Sequence, residues 1–208
     1  MAYALSAGGE KMKALRELKK HLKRGQVYRR GDLVQWSNAV DRHLKQLVAE
    51  GALQKLAPGL YYSPKKASFG NVPPEDEKLV SAFLKSKDFL LTTPNLYNSL
   101  GVGTTQLYNK RIVYNHKRHG HFVLGGKKFD FRLKHKFPKE LSEEFLLVDL
   151  LNNLKELAED KEAILNKVKD KVLKDAQPQM KCVVNTYAAE GTKSLFKQWL
   201  SEEILAHA

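Results

Sequence analysis

The tightest constraint on this chain is a change of hydrophobic period between residues 40 and 62. Val40, Leu44, Leu47 and Val48 fall on one helical stripe, and Gly51 is the residue type that most easily ends a helix. Ala52-Leu53-Gln54-Lys55-Leu56 then alternates as a strand does, Pro58-Gly59 makes a turn, and Leu60-Tyr61-Tyr62 reads as a second strand. A helix that runs straight into a β-hairpin needs further elements alongside to cover both apolar faces. The preceding residues supply them. Glu10 to Arg24 carries Met12, Leu15, Leu18 and Leu22 at helical spacing and ends at Gly25. Val27-Tyr28 is a short extended piece, after which Gly31-Asp32 opens a short helix through Leu33, Val34 and Trp36, with Asp32 the expected N-cap. Ser37 or Asn38 then caps the helix of the apolar stripe. Helix, short helix, helix and hairpin in this order are the parts of a winged helix-turn-helix, with Trp36, Leu44, Leu47, Leu56 and Tyr61 the expected core.

Residues 63–74 are polar and rich in Pro and Gly, which predicts a linker. Beyond them the pattern gives a helix over Glu75–Leu84, a strand at Phe89-Leu90-Leu91-Thr92 and a helix from Pro94 to Leu100. Arg111-Ile112-Val113-Tyr114 is a further strand, and Gly125-Gly126 marks the turn of a hairpin. In the second strand of that hairpin Phe129, Phe131 and Leu133 alternate with Lys128, Asp130, Arg132 and Lys134, predicting one buried face and one basic face. From Ser142 onward the spacing is helical, with Ile164, Val168 and Val172 on one side of a charged segment and a break at Pro178. The expected class is α+β: a winged helix-turn-helix domain over residues 1–68, then a mixed α/β C-terminal domain over residues 69–208 that ends in helices.

Charge points to a partner. The 36 Lys and Arg against 23 Asp and Glu leave +13. The distribution is uneven: +9 in residues 1–68, +7 in 69–140 and −3 in 141–208. A basic first two thirds suits a polyanion. Apolar runs such as Phe145-Leu146-Leu147-Val148 fall far short of the roughly 20 residues that cross a bilayer. The first residues also lack a basic stretch followed by an apolar one, so a cytoplasmic protein without a membrane partner is expected. The one cysteine, Cys182, excludes an internal disulfide, and burial is its ordinary fate.

With its apolar stripe turned inward, the helix over residues 38–50 presents Asn38, Asp41, Arg42, Lys45 and Gln46 outward. Arg reads guanine and Asn or Gln reads adenine from a helix in the major groove. Asp41 would accept from cytosine or hold Arg42, Lys55 near the hairpin tip would contact the backbone, and Arg29 and Arg30 are further expected DNA-binding residues. A second basic patch is expected from Lys110, Arg111, His116, Lys117, Arg118, Lys128 and Arg132. His116, His119 and His121 lie close in sequence, but the intervening Lys and Arg repel a cation, so no metal and no cofactor is expected. No phosphate-binding glycine loop, nucleophile elbow or His-Glu-x-x-His motif occurs, and the expectation is a protein that is not an enzyme. A protein-interaction module for the product of an adjacent gene, or an RNA-binding protein, is the alternative.

Val40-Asp41-Arg42-His43-Leu44-Lys45-Gln46-Leu47, followed by Gly51-Ala52-Leu53 and Leu56-Ala57-Pro58-Gly59-Leu60-Tyr61, resembles the N-terminal winged helix of AbiEi-type antitoxins. Thr92-Thr93-Pro94 and the basic hairpin after it are similar to that family's second domain. The resemblance implies a bacterial autorepressor of a type IV, abortive-infection toxin–antitoxin operon that binds inverted repeats in double-stranded DNA. It further implies a C-terminal domain that opposes a nucleotidyltransferase-like toxin.

Overall fold

In a computed structural model, residues 13–174 and 178–206 are described. They form a mixed α and β architecture with several sheets. Packing divides the chain into two compact units, Met1–Lys87 with His121–Phe129, and Asp88–Gly120 with Asp130–Ala208. The expected boundary after residue 68 falls inside the first unit.

The first unit opens with helix α1, residues 13–21. Residues 10–12 of the expected helix, Met12 included, lie outside the described residues. Strand β1 (Val27–Arg29), helix α2 (Arg30–Leu33) and a 3-10 turn (Val34–Trp36) lead into α3 (Val40–Ala49). Asp32 is not the N-cap of α2. Arg29 occupies that position, and its backbone N–H donates 3.2 Å to Oδ2 of Asp32 from the third helical position. An acid there neutralises an amide at the helix start as well as a cap would. Before α3, Ser37 Oγ accepts the N–H of Ala39, the cap residue itself.

Helix α3 buries Val40, His43, Leu44 and Leu47, and Val40, Leu44 and Leu47 pack with Leu18, Leu33 and Leu53. Leu44 and Leu47 are wholly buried and Leu56 nearly so, whereas Trp36 and Tyr61 are half-buried and pack against the rim of this core. The Trp36 indole instead stacks on His21 of α1, ring centroids 4.4 Å apart. Gly51, at φ +70, takes the left-handed position that ends α3, and its N–H donates to the Val48 carbonyl. Strands β2 (Gln54–Ala57) and β3 (Leu60–Tyr62) follow, and the sheet has the order β1-β3-β2. Both pairings are antiparallel, Val27 opposite Tyr62 and Gln54 opposite Tyr62, with a bulge between Lys55 and Ala57.

The segment expected to be a linker is a β-ribbon. Strand β4 (Lys65–Ala67) pairs with β5 (Gly70–Val72), register Lys65 to Val72. Pairing without apolar alternation leaves no hydrophobic signal in the sequence, and every residue of both strands is exposed. The ribbon is held at its base, where the Tyr62 hydroxyl donates 2.8 Å to the Val72 carbonyl and Ser63, Pro64 and Pro74 are buried. Helix α4 (Asp76–Leu84) completes the run, capped by Lys85 at φ 54. Strand β8 (Gly120–Leu124) and the first part of β9 (Lys127–Leu133) form the hairpin that returns to this unit. Its Gly125-Gly126 turn needs both glycines: φ is +58 and +79, the Gly125 N–H donates 3.0 Å to the Leu56 carbonyl, and a Cβ on Gly125 would stand 3.1 Å from the Leu56 side chain.

In the second unit, β6 (Phe89–Thr92) pairs antiparallel with β7 (Arg111–Asn115), Leu90 opposite Tyr114. The stretch Pro94–Leu100 is a 3-10 helix, with Thr93 accepting from the Asn95 N–H at its start. Helices α5 (Glu143–Asn153), α6 (Lys161–Lys174), α7 (Pro178–Tyr187) and α8 (Glu190–Ala206) pack around a core that includes Leu147, Leu150, Ile164, Val168, Phe196 and Trp199. Proline opens α7, where its missing N–H costs nothing. Cys182 on α7 is exposed rather than buried. None of the helices among the described residues is long and apolar enough to cross a membrane.

Helix α5 carries an acid into this core. Asp149 is 3% exposed and accepts hydrogen bonds from the Tyr97 hydroxyl at 2.8 Å, the Tyr114 hydroxyl at 2.6 Å and Asn153 Nδ2 at 3.1 Å. Burial raises its pKa, and the two tyrosine hydroxyls pull it back only in part. Asp149→Ala should destabilise the protein by about 3 kcal/mol in urea unfolding, because it removes the acceptor of two buried tyrosine hydroxyls. Tyr97→Phe, which removes one donor and leaves the carboxylate two others, should cost about 1 kcal/mol.

Candidate nucleic-acid interface

The stripe of α3 that is buried decides which side chains face outward. Asn38 before the helix and Asp41, Arg42, Lys45 and Gln46 on it are all exposed. Arg42 and Lys45 carry no side-chain hydrogen bond or ion pair among the described residues, and their charges face water. Gln46 is engaged: its Nε2 donates 2.9 Å to Glu50, whose other carboxylate oxygen lies 2.6 Å from Lys19 of α1. The end of α3 is thereby tied to α1.

Asp41 does not hold Arg42. Its two oxygens accept from Nε and Nη2 of Arg30, at 2.6 and 2.7 Å. Hydrogen bonds from this guanidinium keep the Asp41 carboxyl below the ordinary carboxylate range, so it is ionised at neutral pH. Spacing along the chain carries no trace of this pairing, since the partners sit on different helices. The backbone N–H of Arg30 in turn donates 2.8 Å to the carbonyl of Gly59 in the β2–β3 turn. One residue thus links the start of α3 to the tip of the hairpin. Arg29 is committed to Asp32 through Nε at 2.9 Å and through Nη2. Lys55 is exposed on β2, opposite Tyr61.

The expected second patch does not form as a unit. Lys110 and Arg132 are drawn into an ionic network with Asp130 and Glu156: Lys110 lies 3.3 Å from Asp130 and 3.0 Å from Glu156, and Arg132 lies 2.8 and 2.6 Å from the same two acids. Burial works against the charge of Arg132, but Glu156 and Asp130 outweigh it and hold the guanidinium more firmly protonated than usual. On the face expected to be basic on β9, Arg132 is therefore neutralised and Asp130 is buried, while Lys128 and Lys134 are exposed; Leu133, expected inside, is exposed. Arg132 Nη1 also donates 2.6 Å to Asn153, joining this network to the buried Asp149. The i, i+4 spacing of Asp149 and Asn153 on α5 was the available signal, with Glu156 following in a 3-10 turn (Leu154–Glu156).

His116 stacks on Phe137, centroids 4.7 Å apart, and lies 3.5 Å from Asp88. Lys117 and Arg118 are exposed, with their backbone N–H groups donating to the side-chain oxygen of the buried Asn115. Arg111 is half-buried on β7, and Lys128, exposed on β9, belongs to the first unit. No cluster of three or more metal-binding side chains occurs among the described residues.

Residues 14–181 match DUF6088, a family of unknown function. The chain belongs to this family. The match runs from α1 into α7 and so takes in the α3 face, the β4–β5 ribbon and the Asp149 network of this DUF6088 member. No curated protein and no solved structure gives a match.

Beneath the α3 face lies His43, 2% exposed, with Nδ1 2.7 Å from Ser37 Oγ. Burial, and then the charge of Arg42, lowers its pKa from the ordinary 6.5. The unfolded chain takes up a proton near 6.5 and the folded one resists it. The contribution of the neutral ring is therefore fully present above that pH and is lost as pH falls through it. Urea unfolding should show stability declining on acidification from pH 7, and His43→Gln should flatten that slope.

Proposed function

We propose that this chain is a sequence-specific duplex-DNA-binding protein whose first unit works as a winged helix-turn-helix. The observation that carries the reading is the joint placement of the α3 outer face and the β2–β3 turn, connected through Arg30 to Asp41 on one side and Gly59 on the other. Helix α3 enters the major groove with Arg42 and Lys45 leading, and the β2–β3 hairpin lies along the backbone with Lys55. Asn38 reaches a base edge beside them. Gln46 must give up Glu50 before it can read a base, which makes it a weaker contributor than its position suggests. Arg29 and the Arg30–Asp41 pair frame the site and leave Arg42 as the principal cation for a guanine. The electrostatic support is the +9 carried by residues 1–68.

Together with the resemblance to AbiEi-type antitoxins, this supports an autorepressor in the cytoplasm that binds inverted repeats ahead of its own operon. The second unit would supply the activity that opposes a nucleotidyltransferase-like toxin. The test is fluorescence anisotropy on duplex DNA from upstream of the gene and on a scrambled duplex. Arg42→Ala should weaken specific binding by about 1–3 kcal/mol and leave scrambled DNA nearly unchanged, whereas Lys45→Ala should weaken both and reduce the salt slope by about 1. Equal losses on both duplexes for Arg42→Ala would reduce it to a phosphate contact. Co-expression with the neighbouring gene tests the antitoxin role: growth arrest relieved by this chain supports it, and arrest unrelieved removes it.

A further inference from the structure

The β4–β5 ribbon contributes nothing to the core of its unit, since both its faces are exposed along their whole length. Its two-residue turn is Ser68-Phe69, closed by Gly70 at φ +115, a conformation side-chain-bearing residues rarely adopt. The turn holds Phe69 entirely in solvent, at 102% relative exposure. Single exposed apolar residues are commonplace. This one stands at the tip of an acid-free arm: residues 51–74 contain Lys55, Lys65 and Lys66 and neither Asp nor Glu, in a chain with 23 acids.

We infer that the β4–β5 ribbon is a second DNA-contacting arm, with Lys65 and Lys66 on phosphates and Phe69 wedged against a base step from the minor groove. The inference rests on the duplex-DNA reading. An aromatic at the end of a narrow ribbon is the shape that enters a groove and partly unstacks a step, and flanking ammonium groups suit the phosphates on either side. Charge decides against other occupants. A second copy of the ribbon would bring lysine against lysine, and an anionic bilayer calls for a broader apolar face than one ring. Strand β3 runs from the Gly59 turn toward Tyr62, and β4 begins three residues later. The ribbon therefore leaves the sheet at the end away from that turn, so the two tips are separate.

The experiment compares wild type, Phe69→Ala, Phe69→Trp, Lys65→Ala/Lys66→Ala and Arg42→Ala on end-labelled duplexes, reading affinity by anisotropy and bending by energy transfer. Phe69→Ala should lose about tenfold in affinity, alike on upstream and scrambled DNA, and should lose the bend, while Phe69→Trp keeps both. The double lysine variant should reduce the log–log salt slope by about 1.8. Since Phe69 lies in solvent, the thermal unfolding of Phe69→Ala should match wild type. If Phe69→Ala binds and bends DNA as wild type does while Arg42→Ala is weakened, the arm is overturned and the α3 reading stands. If wild type binds no duplex, both fall. Co-sedimentation with phosphatidylserine vesicles is read alongside: if Phe69→Ala loses vesicle binding and keeps duplex binding, the arm belongs to a membrane and the DNA assignment is overturned.

Discussion

An amphipathic helix can bury only one stripe, and the first unit is arranged around the one on α3. Leu44 and Leu47 are removed wholly from water against Leu18, Leu33 and Leu53, so α1, α2 and the strand entry are all placed by the same contact. At about 25 cal/mol per Å² of apolar surface, this burial outweighs the weak surface ion pairs nearby, which contribute about 0–1 kcal/mol each. The hydrogen bonds around α3 refine its position without creating it. Glu50 to Lys19 fixes its end and Arg30 to Asp41 its beginning. The outward side chains are what remains once the inner stripe is satisfied.

Where one hydrophobic period or one turn residue settled the outcome, the sequence was legible. Helix α3, its stop at Gly51, the β2–β3 hairpin and the Gly125-Gly126 turn could all be read, because spacing and backbone preference are local. The ribbon at 65–72 could not, for its strands pair through backbone groups alone and carry no apolar face. Charged partners were equally opaque. Asp41 was visible as an outward acid, but its partner Arg30 comes from another helix, 11 residues earlier. Asp149 accepts from a tyrosine 52 residues away, and nothing in a run of leucines announces that. Lys110 and Arg132 counted as basic in composition, yet Asp130 and Glu156 neutralise them in place.

Those neutralised groups give the second unit its polar spine. Lys110, Glu156, Arg132 and Asn153 form a chain of contacts from the half-buried edge inward to Asp149. A carboxyl group at such depth is tolerable because two tyrosine hydroxyls and an amide donate to it. The arrangement fixes the rotation of α5 about its axis. A turn of one residue would put Val148 or Leu150 against two tyrosine hydroxyls.

The ribbon has a different standing in the energetics. A two-stranded ribbon exposed on both faces is only marginally stable by itself, and this one is secured at its base by a tyrosine hydroxyl and buried prolines. Its strands can therefore unzip while the leucines around α3 stay packed, so its amides exchange with solvent by local opening and not by global unfolding. A partner that grips the tip holds the two strands together, so its binding slows that opening and protects the ribbon's amides.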